Sequence, residues 1–435
     1  MRTRRTTSVA ATVRAVLVAL MVSIALPPAS VANQTRGGTL DGVGTVPTTL
    51  EPTEWEAFKQ RFVRSDGRVV DVEKNGVSHS EGQSYGMLLA VYADDQATFD
   101  NILNFTFSEM RRGKDRLISW LYDPRANPPV TDRNNASDGD IVIAYSLLKA
   151  GMKWQDPRYV RLAEPIINDI GRLLLAKKDG MVLLRPGAFG FDHSHQEGPV
   201  VNLSYYVYGA LLLFETVNAR HPFLEAWQSG LMLTEAAVSR SNGHAPDWIT
   251  MRRDRALSPA QSFAQRSSYD AVRIPLFMAM GGRVPARYFA PFDHTWNIAG
   301  DRVPEDIDLS SGKAVMAMNE PGYRAIAALT ACAARGVPLG ADVKRFEPTT
   351  YFSSALHLMV LVAARAYHPH CIEPRGRIAS QTDNSFDVAA VFLDRGASTE
   401  GRVRTVSLDN LPGFAPSRPL GRSGEQRRIT RFPTP

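Results

Sequence analysis

Ser78-His79-Ser80-Glu81-Gly82-Gln83-Ser84-Tyr85-Gly86-Met87-Leu88-Leu89-Ala90-Val91-Tyr92, residues 78–92, is the stretch from which the fold can be read. Tyr85, Leu88, Leu89 and Tyr92 recur at i, i+3, i+4 and i+7, the spacing of one buried helix face. Ser80 followed by Gln83 matches a capping box, in which hydroxyl and amide satisfy the open N–H groups of a first turn. Glu81 is then the first residue inside the helix, held on its rim. The pattern returns in Ser137-Asp138-Gly139-Asp140, ahead of Ile141, Ala144, Tyr145 and Leu148 at the same helical spacing. A third acid follows a serine in Ser268-Tyr269-Asp270-Ala271, five residues before Pro275, which a helix tolerates only near its start. Three carboxylates from separated segments can therefore meet at one end of a helical assembly.

Outward from these motifs, further helical periodicity covers 53–63, 96–111, 158–176, 203–217, 222–240, 272–280, 285–298, 312–335 and 351–367. That makes about eleven helices, split by Gly, Pro, Asn and Asp. Pro321 divides the 312–335 segment and brings the count to about twelve. Strand-like alternation is local, as at Met181–Leu184. One all-α domain over 53–371 follows, and a closed ring of helical hairpins is one way to bury a face of each helix while leaving an end open.

The ends differ from the body. Arg2, Arg4, Arg5 and Arg14, an apolar run from Ala15 to Leu26 and a small-residue exit at Ser30-Val31-Ala32 describe a signal peptide over 1–32. The residues after Arg4-Arg5 fit a twin-arginine signal poorly, so the ordinary route to periplasm or medium is expected. The apolar run is too short to span a bilayer, and no stable membrane insertion is expected after cleavage. Residues 33–52 read as a flexible lead-in, and 372–435, rich in Pro, Arg and Gly, as a disordered tail. The chain has 50 basic and 44 acidic residues. Without the four leader arginines the balance is 46 against 44, and without the tail as well it is 36 against 37. No basic stripe survives in the body, which argues against nucleic acid. Cys332 and Cys371 form either one optional bridge or two buried thiols.

Acids are common in first turns because they complement the helix dipole. Gly82 and Gly139, directly after their carboxylates, weaken that plain explanation, since glycine there costs helix stability unless something approaches the backbone closely. If Glu81 acts as a proton donor, a second carboxylate nearby helps it hold a proton, and Asp138 is the natural neighbour. Tyr85, Trp120, Tyr122, Tyr145, Tyr205, Tyr206, Trp248 and Tyr269 cluster about the same segments. Most belong to a core. Trp120 and Trp248, in loop-like surroundings, are the better candidates for platforms under sugar rings. His193-Ser194-His195 lacks a third ligand at useful spacing, so neither metal nor cofactor is expected.

The three carboxylate motifs, together with Asn202-Leu203-Ser204-Tyr205-Tyr206 and Pro246-Asp247-Trp248, resemble glycoside hydrolase family 8, and the order and spacing fit over roughly 53–370. Within that family the chain is most similar to endoglucanases associated with bacterial cellulose synthesis. The resemblance implies an (α/α)6 barrel and inverting hydrolysis of β-1,4-glucan, with Glu81 as general acid and Asp270 as general base. It implies Asp138 as a ligand of the sugar at the cleavage point, Tyr205 near the attacking water, Arg273 orienting base or substrate, and Trp120 stacking on a sugar. Tyr85, Tyr269 and Trp248 join the substrate-binding set. Inversion needs carboxyl groups roughly 6.5–9.5 Å apart to admit a water. Ser137, Leu203 and Ile274 depart from the family's more frequent Thr, Pro and aromatic residues. The resemblance implies a β-1,4-glucan, cellulose, as the polysaccharide partner, and an association with the cellulose synthesis machinery. Chitosan, xylan or mixed-linkage glucan on the same scaffold is the alternative, followed by a non-catalytic glycan-binding protein.

Overall fold

The computed structural model describes residues 46–191, 197–252, 256–297 and 302–373. The leader at 1–32, most of the lead-in, His193-Ser194-His195 and the tail after 373 lie outside the described residues. Within them are twelve α-helices: α1 Pro52–Phe62, α2 Ser80–Ala93, α3 Gln96–Glu109, α4 Ser137–Trp154, α5 Pro157–Leu173, α6 Tyr208–Val217, α7 Phe223–Arg240, α8 Arg273–Ala279, α9 Ala290–Trp296, α10 Pro321–Arg335, α11 Ala341–Lys344 and α12 Tyr351–Tyr367.

The even-numbered helices form an inner ring. α2 packs on α4, α4 on α6, α6 on α8, α8 on α10, α10 on α12, and α12 back on α2. Odd-numbered helices lie outside: α3 on α2, α5 on α4, α7 on α6, and both α9 and α11 on α10. Burial explains the division. Every residue of α8 is buried, as are nearly all of α2 and α4, whereas α1, α3 and α5 bury one face. A helix with no polar face cannot sit at a surface. Each fully buried leucine, such as Leu89 or Leu147, contributes about 1.5–3 kcal/mol by leaving water. This is the (α/α)6 barrel that the periodicity and the family resemblance together anticipate.

Among the described residues, ten short strands decorate the ring in four antiparallel sheets. β1 (Ser78–His79) pairs with β2 (Leu121–Tyr122), and β3 (Leu175–Lys178) with β4 (Met181–Leu184). β5 (Val200–Val201), β6 (Ile249–Met251) and β7 (Leu257–Pro259) form one three-stranded sheet; β8 (Arg266–Ser267), β9 (Glu305–Asp308) and β10 (Lys313–Ala317) form another. β10 corrects an expectation, because 312–335 is not helical throughout. Lys313–Ala317 pairs with β9, and α10 starts at Pro321. The twelfth helix is α11.

A second correction concerns the end of the lead-in. Val46 and Leu50 are buried, and the N–H groups of Thr49 and Leu50 donate to the Tyr92 carbonyl at 2.9 and 3.2 Å. Residues 46–50 are thus packed against the last turn of α2. The ring closes where the two ends of the domain meet. Arg365 on α12 donates to both carboxylate oxygens of Glu54 on α1 at 2.6 and 2.8 Å, and to the Thr49 carbonyl at 2.7 Å. Cys332 and Cys371 form a disulfide that ties the segment after α12 to α10.

Candidate active site

Five inner helices bring first-turn residues to one place, and the segment ahead of α6 adds Tyr205. Glu81 lies in α2, Asp138 in α4, Arg273 opens α8, Tyr323 lies in α10 and Phe352 in α12. Short straps fix the two leading helices. The Ser80 N–H donates to the Trp120 carbonyl at 2.9 Å, Trp120 N–H to Asn134 at 2.9 Å, and Ser137 N–H to Pro186 at 2.8 Å. The expected capping boxes are absent. The hydroxyls of Ser80 and Ser137 find no hydrogen-bond partner among the described residues. The Gln83 amide is drawn into the 67–69 loop instead, accepting from Val69 N–H at 2.6 Å and donating to Gly67 at 3.1 Å and Thr106 at 2.9 Å.

The two glycines are explained by close packing. A Cβ on Gly139 would stand 2.9 Å from the Ser80 backbone carbon, and one on Gly82 would stand 2.8 Å from the Tyr351 hydroxyl. Glycine lets α2, α4 and α12 approach closely enough for Glu81 and Asp138 to share one partner. What approaches the backbone is a neighbouring helix end.

That partner is Arg273, whose side chain is 3 % exposed. One terminal nitrogen donates to Glu81 Oε2, to the Tyr85 hydroxyl at 3.0 Å and to Asp138 Oδ2 at 3.2 Å; the other donates to Asp270 Oδ1. All three predicted carboxylates therefore meet on a single guanidinium. Their surroundings differ. The Asp138 side chain is 2 % exposed, against 21 % for Glu81 and 25 % for Asp270. Burial, followed by the charge of Glu81, raises Asp138 to about 7 despite Arg273. The charge that passes between these two acids acts on Asp138, the buried one.

The aromatic residues divide. Tyr205 places its ring 5.7 Å from the Arg273 guanidinium, inside the cluster. Trp120 lies beside Glu81's helix start, half-buried, stacked on His79 with centroids 6.2 Å apart and donating to Asp132 at 2.9 Å. Tyr269 is 44 % exposed at the turn that carries Asp270. Two expectations need correcting. Tyr85 is fully buried and holds Arg273 rather than facing the cleft. Trp248 is no open platform: Phe263 stacks on it with centroids 4.3 Å apart, and Tyr205 meets it edge-on at 6.0 Å.

A model of glycosyl hydrolases family 8 matches residues 34–366. The chain belongs to that family. A probable endoglucanase from Novacetimonas hansenii is 35 % identical over 312 residues, covering 71 % of this chain and 90 % of that protein. Among solved structures, the endo-β-1,4-glucanase CMCax from Acetobacter xylinum is 34 % identical with TM-score 0.64, covering 73 % of this chain and 98 % of that one. Endoglucanase Cel10 from Klebsiella pneumoniae is 31 % identical with TM-score 0.64, covering 72 % and 99 %.

In this family 8 glycoside hydrolase two further buried acids, Asp140 and Asp247, brace the segments around the site. Asp140, wholly buried, accepts from Ile118 N–H at 2.8 Å and from the Asn135 amide at 2.7 Å, and burial raises it to about 8. Asp247 accepts from the N–H groups of Ser268 and Ala271, both at 2.8 Å. The signal for Asp247 was present in Pro246-Asp247-Trp248, where the tryptophan drew the attention.

Proposed function

We propose that this protein is an exported endo-β-1,4-glucanase that cleaves cellulose chains with inversion, using Glu81 as general acid and Asp270 as general base. The carrying observation is the unequal exposure of three carboxylates on one arginine: Glu81 and Asp270 are open to solvent, while Asp138 presents only 2 % of its side chain. Glu81 and Asp270 bind different terminal nitrogens of Arg273, so the two carboxylates stand side by side at one cleft. Inversion requires that they leave room for a water between base and sugar.

In this mechanism Glu81 takes up a proton and turns from Arg273 to the glycosidic oxygen. Asp270 removes a proton from the water that attacks the anomeric carbon from the other face, and Arg273 keeps that carboxylate aimed. Asp138, holding a proton below about pH 7, hydrogen-bonds the sugar at the cleavage point and favours a distorted ring. Tyr205 borders the water, and Trp120 and Tyr269 offer flat faces to flanking sugars. Export rests on the leader-like residues 1–32, and trimming of chains during cellulose synthesis rests on the family resemblance. Among the described residues no helix is long and apolar enough to cross a membrane.

The test is product analysis on soluble substituted cellulose, chitosan and xylan, with proton NMR of the first-formed anomer. The α-anomer from cellulose is expected, and Glu81→Gln and Asp270→Asn are each expected to lose about 10²–10⁴-fold in kcat. A first-formed β-anomer would overturn inversion. Full rate in Glu81→Gln would place the acid elsewhere.

A further inference from the structure

We infer that Asp247 is the positioning residue of the base: it fixes the turn that presents Asp270, and so sets the rate without touching the sugar. This rests on Asp270 being the base. Asp270 lies outside any helix, three residues ahead of α8, in a turn closed by Val272 N–H to Ser268 at 3.0 Å and Arg273 N–H to Asp270 at 3.1 Å. Such a turn could rock about its ends. A single oxygen, Asp247 Oδ1, accepts from Ser268 N–H and Ala271 N–H, two residues before Asp270 and one after it. The backbone of the base is thereby clamped on both sides.

Asp247 is itself fixed. Its N–H donates to the Arg266 carbonyl at 2.8 Å, joining it to the start of the β8 segment that runs into the turn. Next to it, Trp248 is stacked on Phe263 and meets Tyr205 edge-on. The dipeptide therefore braces two parts of the site: Asp247 the base, and Trp248 the tyrosine beside Arg273. Arg273 holds the Asp270 carboxylate from the other side, so base position is fixed through both backbone and side chain. Asp247 is nearly buried. Burial and the neighbouring Asp270 charge raise its carboxyl to about 7.

The clamp uses one acceptor oxygen, and an asparagine keeps that oxygen. Asp247→Asn is expected to retain kcat within about threefold, whereas Asp247→Ala is expected to lose about 10²-fold, because a small misplacement of a reacting group costs that much. KM on soluble substituted cellulose should stay within about twofold in both, since the sugar platforms are untouched. Melting temperatures of the two variants establish that both are folded. Equal loss in Asp247→Asn and Asp247→Ala, or a rise in KM matching the fall in kcat, would overturn positioning. Asp270→Asn run alongside separates the two readings. If Asp270→Asn is inactive and Asp247→Ala is unimpaired, only the clamp fails; if Asp270→Asn keeps its rate, the base assignment fails and takes the clamp with it.

Discussion

The same inner helices carry two polar clusters, one at each end, and the clusters are built on opposite principles. At the leading end α2, α4 and α8, with the turn before α8, bring three carboxylates to one guanidinium, leaving a surplus of negative charge. At the trailing end α2, α4 and α12 supply Tyr92, Tyr145, Lys149 and Tyr367. There the Tyr367 hydroxyl pairs with those of Tyr92 at 2.8 Å and Tyr145 at 3.2 Å, and the Lys149 ammonium lies 5.2 Å from the Tyr145 ring. Burial pushes the Tyr367 phenol up, but Lys149 and the two partner hydroxyls outweigh it and leave it lowered. Glu81 and Asp138 stand at helix starts and Lys149 stands toward the end of α4, as the macrodipoles favour, whereas Arg273 opens α8 against that preference and is held by the acids. The trailing cluster is matched and sealed. The leading one is under-compensated and open, and that imbalance is what a substrate can use.

The sharpest way to break this contrast is to remove the shared cation. Arg273→Met leaves three carboxylates without their shared cation, and kcat should fall about 10³-fold while stability drops by about 3 kcal/mol. Assays on soluble substituted cellulose with denaturant melts would check both, and a variant with normal activity would refute the shared-cation picture. Gly139→Ala pushes α4 off Ser80, with an expected loss of about tenfold in kcat and about 1–3 kcal/mol from overpacking. Asp138→Asn sharpens the comparison through pH. A carboxyl raised from 3.8 to about 7 binds its proton more tightly folded than unfolded, so the native state loses stability as pH climbs through that window and levels off above it. Asp138→Asn should therefore melt higher than the parent at pH 7.5, by at least about 1 kcal/mol, and match it near pH 4. Identical melts at both values would remove the imbalance from the account. The smallest effect on activity belongs to the trailing end. Tyr367→Phe should cost about 1–2 kcal/mol of stability and leave kcat within twofold. A large loss of rate there would show that the ends are not separable.

The sequence revealed most where the physics is local. Helical spacing at Tyr85–Tyr92 and Ile141–Leu148 marks α2 and α4, and 351–367 matches α12 residue for residue. Serine-led acids at helix starts pointed to a common end, and Arg273 collects them there. Failures came where distant pairing overrides local preference. Lys313–Ala317 has residues that suit a helix, yet β9 captures it as a strand. Gln83 fits a capping box three residues after Ser80, but a loop sixteen residues back takes its amide. Asp247 looked unremarkable because its partners, Ser268 and Ala271, become neighbours only after folding. Trp248 read as a free platform because no pattern in one chain announces that Phe263 will cover it.

The closure of the ring has a consequence in time. α2 is among the first helices to leave the ribosome, and α12, on which it packs, is the last. At about 5–20 residues per second, the apolar flank of α2 waits roughly tens of seconds for that partner. Until then the growing chain exposes apolar helix edges and is open to association with other chains. Synthesis of this enzyme therefore has a risky interval whose length is set by the distance along the chain between its first inner helix and its last.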